Sequence, residues 1–303
     1  MTHAIDIRSM SRVFGRSTAL EDITLTVPEG SICGLLGRNG AGKTTLMSIL
    51  AGQDRPSSGT VEVFGQNPFE NEAALSRISF VRDNQRYPDG YRLHHVLRIA
   101  PEFAPNWNAD VAAELVEGFR IPGKTPISKM SRGQLSSVAI VLALASRAPL
   151  TLLDEPYLGL DVTARGLFHN MLLRDYTEHP RTVVLSTHLI EESEALFDRV
   201  LIVDRGRVRA DCGSEETSSL AFTVSGPTEA VERFSEGRTL LASHTVGSLK
   251  SATVRGTADA DVRAQAQTLG ASVSPATLQE LVAGFGSDAA APEPVRIRKG
   301  ARA

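Results

Sequence analysis

Residues 34–50 read GLLGRNGAGKTTLMSIL and set Gly37, Gly40, Gly42, a lysine and two threonines between two apolar runs. Ahead of them, SICGLLG is short, apolar and partly β-branched; behind them, TTLMSILAG carries apolar residues at helical spacing and stops on Gly52. The glycines therefore fall between a buried strand and the first turn of a helix. Gly37 to Thr44 fit the spacing G-x-x-x-x-G-K-[ST]. In that pattern a bare backbone lets successive N–H groups wrap phosphate oxygens at a helix N-terminus, where the peptide dipoles favour an anion. The expected nucleotide contacts run through Gly37, Arg38, Asn39, Gly40, Ala41, Gly42, Lys43, Thr44 and Thr45, with Lys43 reaching the β- and γ-phosphates and Thr44 placed to ligate magnesium.

The surrounding pattern predicts an α/β fold. AIDIRSM and LEDITLTV alternate as strands do, PEG at 28–30 reads as a turn, and SGTVEVFG at 58–65 reads as another strand, so an antiparallel β lobe is expected. From about 85 to 149 the apolar spacing becomes helical, in HHVLRIA, DVAAELVEGF and LSSVAIVLALASR. LTLLDEP and TVVLSTH are continuous apolar runs of strand length, separated by a helical segment at 162–176, as buried parallel strands are. DRVLIVDRGRVRADC reads as a hairpin. These features predict a nucleotide-binding domain over residues 1–218 with a helical subdomain. Residues 219–286, from LAFTVSG to TLQELVAGF, predict a small α+β accessory domain, and the Ala/Pro-rich, then basic, tail at 287–303 is expected to be disordered.

Composition narrows the partners. A formal net charge of −3 gives no broad basic field, so no nucleic acid is expected. Cys33 and Cys212 stand far apart without metal-ligand spacing, and Cys33 reads as core. The longest apolar run, VAIVLALA at 138–145, is far too short for a bilayer span, and the charge-broken N-terminal stretch does not read as a signal peptide.

A cradle alone does not separate kinase from GTPase from transport motor. LTLLDEP ends an apolar strand on Asp154 and Glu155, at a strand's carboxyl end, where ligands of open α/β sheets bind. Asp154 would hold the magnesium shell and Glu155 could polarise an attacking water. Between cradle and acidic pair lies KMSRGQLSSVAIVLALASRAP; downstream come YLGLD and LSTH. In this ordered set the chain resembles the ATP-binding cassette family over about residues 3–215. The resemblance implies that Met130-Ser131-Arg132-Gly133-Gln134 is the signature segment, that Ser131, Gly133 and Gln134 contact ATP across a dimer interface, and that Gly159-Leu160-Asp161 is the D-loop. It further implies that His188 is the switch histidine and that Phe14 stacks on adenine. On their own, Phe14 and His188 would read as structural residues.

Two positions depart from the family pattern. Arg132 replaces the first glycine of the signature, and the loop after ISFV, where a magnesium-sensing glutamine is usual, reads Arg82-Asp83-Asn84-Gln85. Asp83 takes the position by alignment and Gln85 lies close enough to substitute. The resemblance implies ATP and Mg²⁺, a second nucleotide-binding subunit, and an integral membrane subunit that holds this cytoplasmic chain peripherally on the cytoplasmic face of the membrane, in an exporter-type bacterial system. The membrane subunit is expected to dock on the helical segment and on the loop from Asp83 to Tyr91, whose RYPDGYRL aromatics look exposed. A soluble cassette ATPase acting on ribosomes or DNA is the alternative. A small-molecule kinase would leave MSRGQ and the distal histidine unexplained.

Overall fold

The computed structural model describes residues 2–82, 85–286 and the backbone of 295–296. Asp83 and most of the 287–303 tail, both the subject of expectations above, lie outside the described residues. In chain order the first elements are β1 (His3–Phe14), β2 (Ser17–Pro28), β3 (Ile32–Leu36), α1 (Lys43–Leu50), β4 (Ser58–Val63), α2 (Glu72–Leu75), β5 (Ile78–Val81), α3 (Leu93–Phe103), α4 (Ala109–Gly118) and α5 (Arg132–Ser146). There follow β6 (Leu150–Asp154), α6 (Val162–Glu178), β7 (Thr182–Ser186), α7 (Ile190–Ser193), β8 (Arg199–Asp204) and β9 (Arg207–Gly213). The C-terminal part holds β10 (Ala221–Pro227), α8 (Thr228–Ser235), β11 (Leu240–Val246), β12 (Leu249–Arg255), α9 (Ala260–Thr268), β13 (Ser272–Pro275), α10 (Leu278–Phe285) and β14 (Val295–Arg296).

The central sheet runs β14-β9-β8-β3-β7-β6-β5. Strands β5, β6, β7, β3 and β8 are parallel to one another, and β9 turns back antiparallel on β8. Every residue of β3, β6 and β7 is buried, which is why each reads as an unbroken apolar run rather than an alternating one. The pleat divides β3 between two cores. Cys33 and Leu35 meet α1 and the antiparallel lobe β2-β1-β4 on one face; Ile32 and Leu36 meet the helical side built largely on α4 and α5 on the other.

The C-terminal sheet runs β11-β12-β10-β13, antiparallel throughout, and α8 and α9 complete a β-α-β-β-α-β order of ferredoxin-like type. Phe222, Val224, Val231, Phe234, Ala252 and Val254 form its own small core. The short strand β13 was not anticipated; SVSP gives too few residues for a period to show. α10 does not belong to that small core. Its Leu278, Leu281, Val282 and Phe285 are buried with Ile190, Leu196 and Ile202 in the larger one.

Both cysteines are free and buried. Burial, then the nearby Asp211 carboxylate, pushes the Cys33 thiol far above its ordinary range, and the same two causes push Cys212 up to about 11. Because the thiolate is the reactive form, a raised pKa keeps both groups protonated and inert below it. Both should resist a thiol reagent at pH 8 in the native chain and react on addition of denaturant; fast labelling of the folded protein at either position would contradict this packing.

Candidate functional site

β3, β7 and β6 are adjacent, so the loops leaving their carboxyl ends share one edge of the sheet. The first is the glycine loop, the second carries His188, and the third opens on Glu155, directly after Asp154 at the end of β6. Asn39 through Thr45 line a cavity of about 240 Å³ with Ala19, Asp154 and Glu155. α1 opens there from Gly42, in the left-handed region at φ 108°, with no side-chain cap and no acidic residue in its first turn. Elsewhere Asn108, Ser131, Asp161, Asp259 and Thr277 cap their helices. The α1 terminus thus leaves its first N–H groups without the side-chain partner those helices have, at the positive end of the peptide dipoles. That suits an anion.

Gly37 cannot be another residue. Its φ is +150°, and a Cβ there would stand 2.1 Å from the carbonyl oxygen of Val203 on β8. The loop starts wedged against the sheet. Lys43 is buried, and its Nζ donates to the carbonyls of Gly37 at 2.7 Å and Arg38 at 3.2 Å. Desolvation lowers its pKa, opposed by the carboxylates of Glu155 and Asp154. The side chain of Arg38 leaves the cradle and bonds the carbonyl of Gly286.

The acidic pair is held from several directions. Thr44 Oγ1 donates to Asp154 Oδ2 at 2.7 Å, and Ser186 Oγ donates to Asp154 Oδ1 at 2.6 Å. The Glu155 N–H donates to the Ser186 carbonyl at 3.1 Å. Glu155 itself sits at φ 52°, a strained value for a non-glycine residue of the kind that collects at functional sites. His188 Nδ1 lies 2.7 Å from Glu155 Oε2, with the imidazole half exposed (51%) and the carboxylate largely covered (16%). Ser186 was missed by sequence reasoning. Its signal was available, as a hydroxyl ending the buried strand TVVLS beside the acidic strand.

The remaining candidates stand apart from the cradle cavity. Phe14 is 47% exposed, with the Arg12 guanidinium 4.2 Å over its ring. Ser131 and Gln134 form a reciprocal capping box on α5, each side chain accepting from the other's N–H. Gly133 lies against the Gly159 carbonyl, where a Cβ would come within 2.2 Å. The start of α5 therefore packs on the Gly159 turn of the same chain. Gln85 lines a narrow cleft together with Asp154 and Glu155.

The RYPDGYRL aromatics are not free on the surface. Tyr87 and Tyr91 pack against the larger core and line a groove of about 390 Å³ with Phe80, Ile99, Phe103 and Trp107. The Tyr87 hydroxyl is buried without a partner, and burial pushes its pKa up to about 12. The aromatics cover a helix face that the polar residues around them in the sequence conceal.

A family model described as ABC transporter matches residues 20–158. The chain is 34% identical over 208 residues to an aliphatic sulfonates import ATP-binding protein of Burkholderia lata, a match covering 69% of this chain and 63% of that one. It is 30% identical over 214 residues to the Nod factor export ATP-binding protein I of Rhizobium johnstonii, covering 69% of this chain and 68% of that one. The chain thus spans 63% of the length of the import relative, whose match carries the higher identity of the two. A solved structure of an ATP-binding subunit of an ABC transporter superposes with a TM-score of 0.64 at 24% identity, over 71% of this chain and 91% of the other. At that identity the likeness speaks for the fold: a P-loop α/β core with an antiparallel β lobe.

Gly37→Ala should lower unfolding free energy by about 1–3 kcal/mol through strain and overpacking against Val203. Urea denaturation measures it. A variant as stable as the parent would mean that the cradle does not start where this geometry puts it.

Proposed function

This chain belongs to the ATP-binding subunits of ABC transporters, and on that premise we propose that it binds and hydrolyses ATP to drive a membrane transporter. The observation that carries this reading is the cradle with Lys43, Thr44, Asp154 and Glu155 on one cavity. In this account the amides of Gly37 through Thr45 and the Lys43 ammonium hold the phosphates. Glu155 takes a proton from the water that attacks the γ-phosphorus, breaking the bond to the β-phosphate oxygen and leaving ADP and phosphate. His188, bonded to Glu155, holds that carboxylate in orientation.

Magnesium fits the donor set. Thr44 and Asp154 offer hard oxygen ligands side by side, and among the described residues no cluster of three His, Cys, Asp or Glu side chains competes as an all-protein metal cage. Such a pair, completed by substrate phosphates, is how Mg²⁺ is usually held. Gln85 would complete the shell from the neighbouring cleft, and Asp83 stands as the alternative. The ion would neutralise developing phosphate charge.

Two chains would sandwich ATP, each cradle facing the Ser131, Gly133 and Gln134 of the other, with Phe14 stacked on adenine. The domain plan is a nucleotide-binding unit over 1–218 and an accessory unit over 219–286. Among the described residues no helix is long and apolar enough to cross a membrane, so the transport path would belong to a separate integral membrane subunit. The groove at Tyr87, with its unpartnered hydroxyl, is where that subunit would dock, placing the chain at the cytoplasmic face. We read the direction as export. The match to the Nod factor export protein over more than two thirds of both chains supports that direction.

Glu155→Gln keeps shape but removes the basic oxygen, so ATP turnover should fall by about 10²- to 10⁴-fold while ATP binding persists. Slow hydrolysis should also leave the variant as an ATP-dependent dimer in size-exclusion chromatography, where the wild type elutes mainly as monomer. Near-normal turnover in a preparation free of contaminating ATPase would remove Glu155 as the base. For the docking groove, a cysteine in place of Phe103, which is 79% exposed at its rim, should crosslink to an integral membrane protein in native cells. Absence of any membrane-embedded adduct would contradict that site.

A further inference from the structure

Arg38 stands in the phosphate loop, yet its side chain faces the C-terminal part of the molecule. Its Nη1 donates to the carbonyl of Gly286, the C-cap of α10, at 2.7 Å. The packing is close as well: a Cβ on Gly286 would stand 2.4 Å from Arg38 Cδ and 3.1 Å from its Cγ. α10 is in turn fixed on two other sides. Leu281, Val282 and Phe285 are buried with Ile190 and Leu196, behind the His188 loop. Toward the C-terminal sheet, Glu280 Oε2 accepts from Thr223 Oγ1 at 3.0 Å, and Gly284 lies so near Leu241 that a Cβ would be 2.8 Å from that residue's Cβ. One helix therefore touches the C-terminal sheet, the larger core and, through Arg38, the cradle.

The cradle has need of such an anchor. Gly37 is wedged on Val203 at its start and α1 holds its end, but Asn39 and Gly40 between them are exposed. Loop amides that must converge on phosphate bind more tightly when their arrangement is set beforehand, because less ordering is left for the binding step. A guanidinium-to-carbonyl bond is charge-assisted and stronger than a neutral one.

We propose that Arg38 is a positioning residue through which α10 pre-sets the cradle, so that ATP affinity depends on how the C-terminal unit is seated. This rests on the reading of the cradle as an ATP site. The coupling is reciprocal: ATP in the cradle stabilises the contact of Arg38 with Gly286.

The test uses the full chain, a fluorescent ATP analogue for binding and MgATP for turnover. Arg38→Met removes the donor and Gly286→Val displaces the side chain. Each should raise Kd and KM for ATP by about three- to tenfold, the worth of one such bond. kcat at saturation should stay within about twofold, because Asp154, Glu155 and His188 are untouched. The double variant should lose no more than the more damaging single, since both remove the same contact. Hydrogen exchange over residues 278–286 should slow on ATP binding in the wild type and not in Arg38→Met. Arg38→Met only trims a side chain and keeps the test open should Gly286→Val misfold. Wild-type affinity in Arg38→Met, losses that multiply in the double variant, or a fall in kcat at unchanged KM would each overturn the inference alone. A wild-type chain that fails to bind ATP would overturn the proposed function and this inference with it.

Discussion

The carboxylate of Asp154 is the point on which the rest of the site depends. It is 5% exposed, and a buried carboxylate is tolerable only when its oxygens are hydrogen-bonded. Here each oxygen takes a hydroxyl from a different element, Thr44 in the first turn of α1 and Ser186 at the end of β7. Satisfying one charge thereby fixes three segments distant in sequence against one another. The orientation of α1, the opening of its uncapped N-terminus and the placement of Lys43 follow from the Thr44 bond. The strained turn at Glu155 follows from Ser186, which receives the Glu155 N–H while donating to Asp154.

The strand order makes this possible. β7 lies between β3 and β6, so the three loops emerge side by side at the carboxyl edge of the sheet. The burial of β3, β6 and β7 on both faces holds their ends in register. The antiparallel lobe and the helical layer supply the two faces, with β3 distributing alternate side chains between them. A change in that core would act on the site by moving strand ends rather than by touching any polar group.

Much of this could be read from the chain. The continuous apolar runs LTLLDEP and TVVLSTH announced buried parallel strands, and SICGLLG a buried strand, because a strand covered on both faces has no polar alternation to show. The cradle spacing located a helix start, and Asp154 and Glu155 lay at a strand end as expected. What escaped was whatever depends on partners rather than on period. LQELVAGF is amphipathic, but nothing local says that its apolar face joins the larger core instead of the nearby C-terminal one. The side chain of Arg38 looked like part of the phosphate loop, and only the return of residue 286 to that loop gives it another partner. Tyr87 and Tyr91 looked exposed because their sequence neighbours are polar, while the face they cover is contributed by residues from elsewhere in the chain, Phe80, Ile99 and Trp107 among them.

As a nucleotide site, the cradle needs Lys43 to balance the phosphate charge. Isothermal titration calorimetry of MgATP into the wild-type chain and into Lys43→Ala, both shown to be folded by circular dichroism, tests that most directly. Saturable binding of one ATP per wild-type chain is expected, and none measurable for Lys43→Ala, in which the phosphate charge would go unmatched. Equal affinity in the two proteins, or no binding to the wild type, would contradict it.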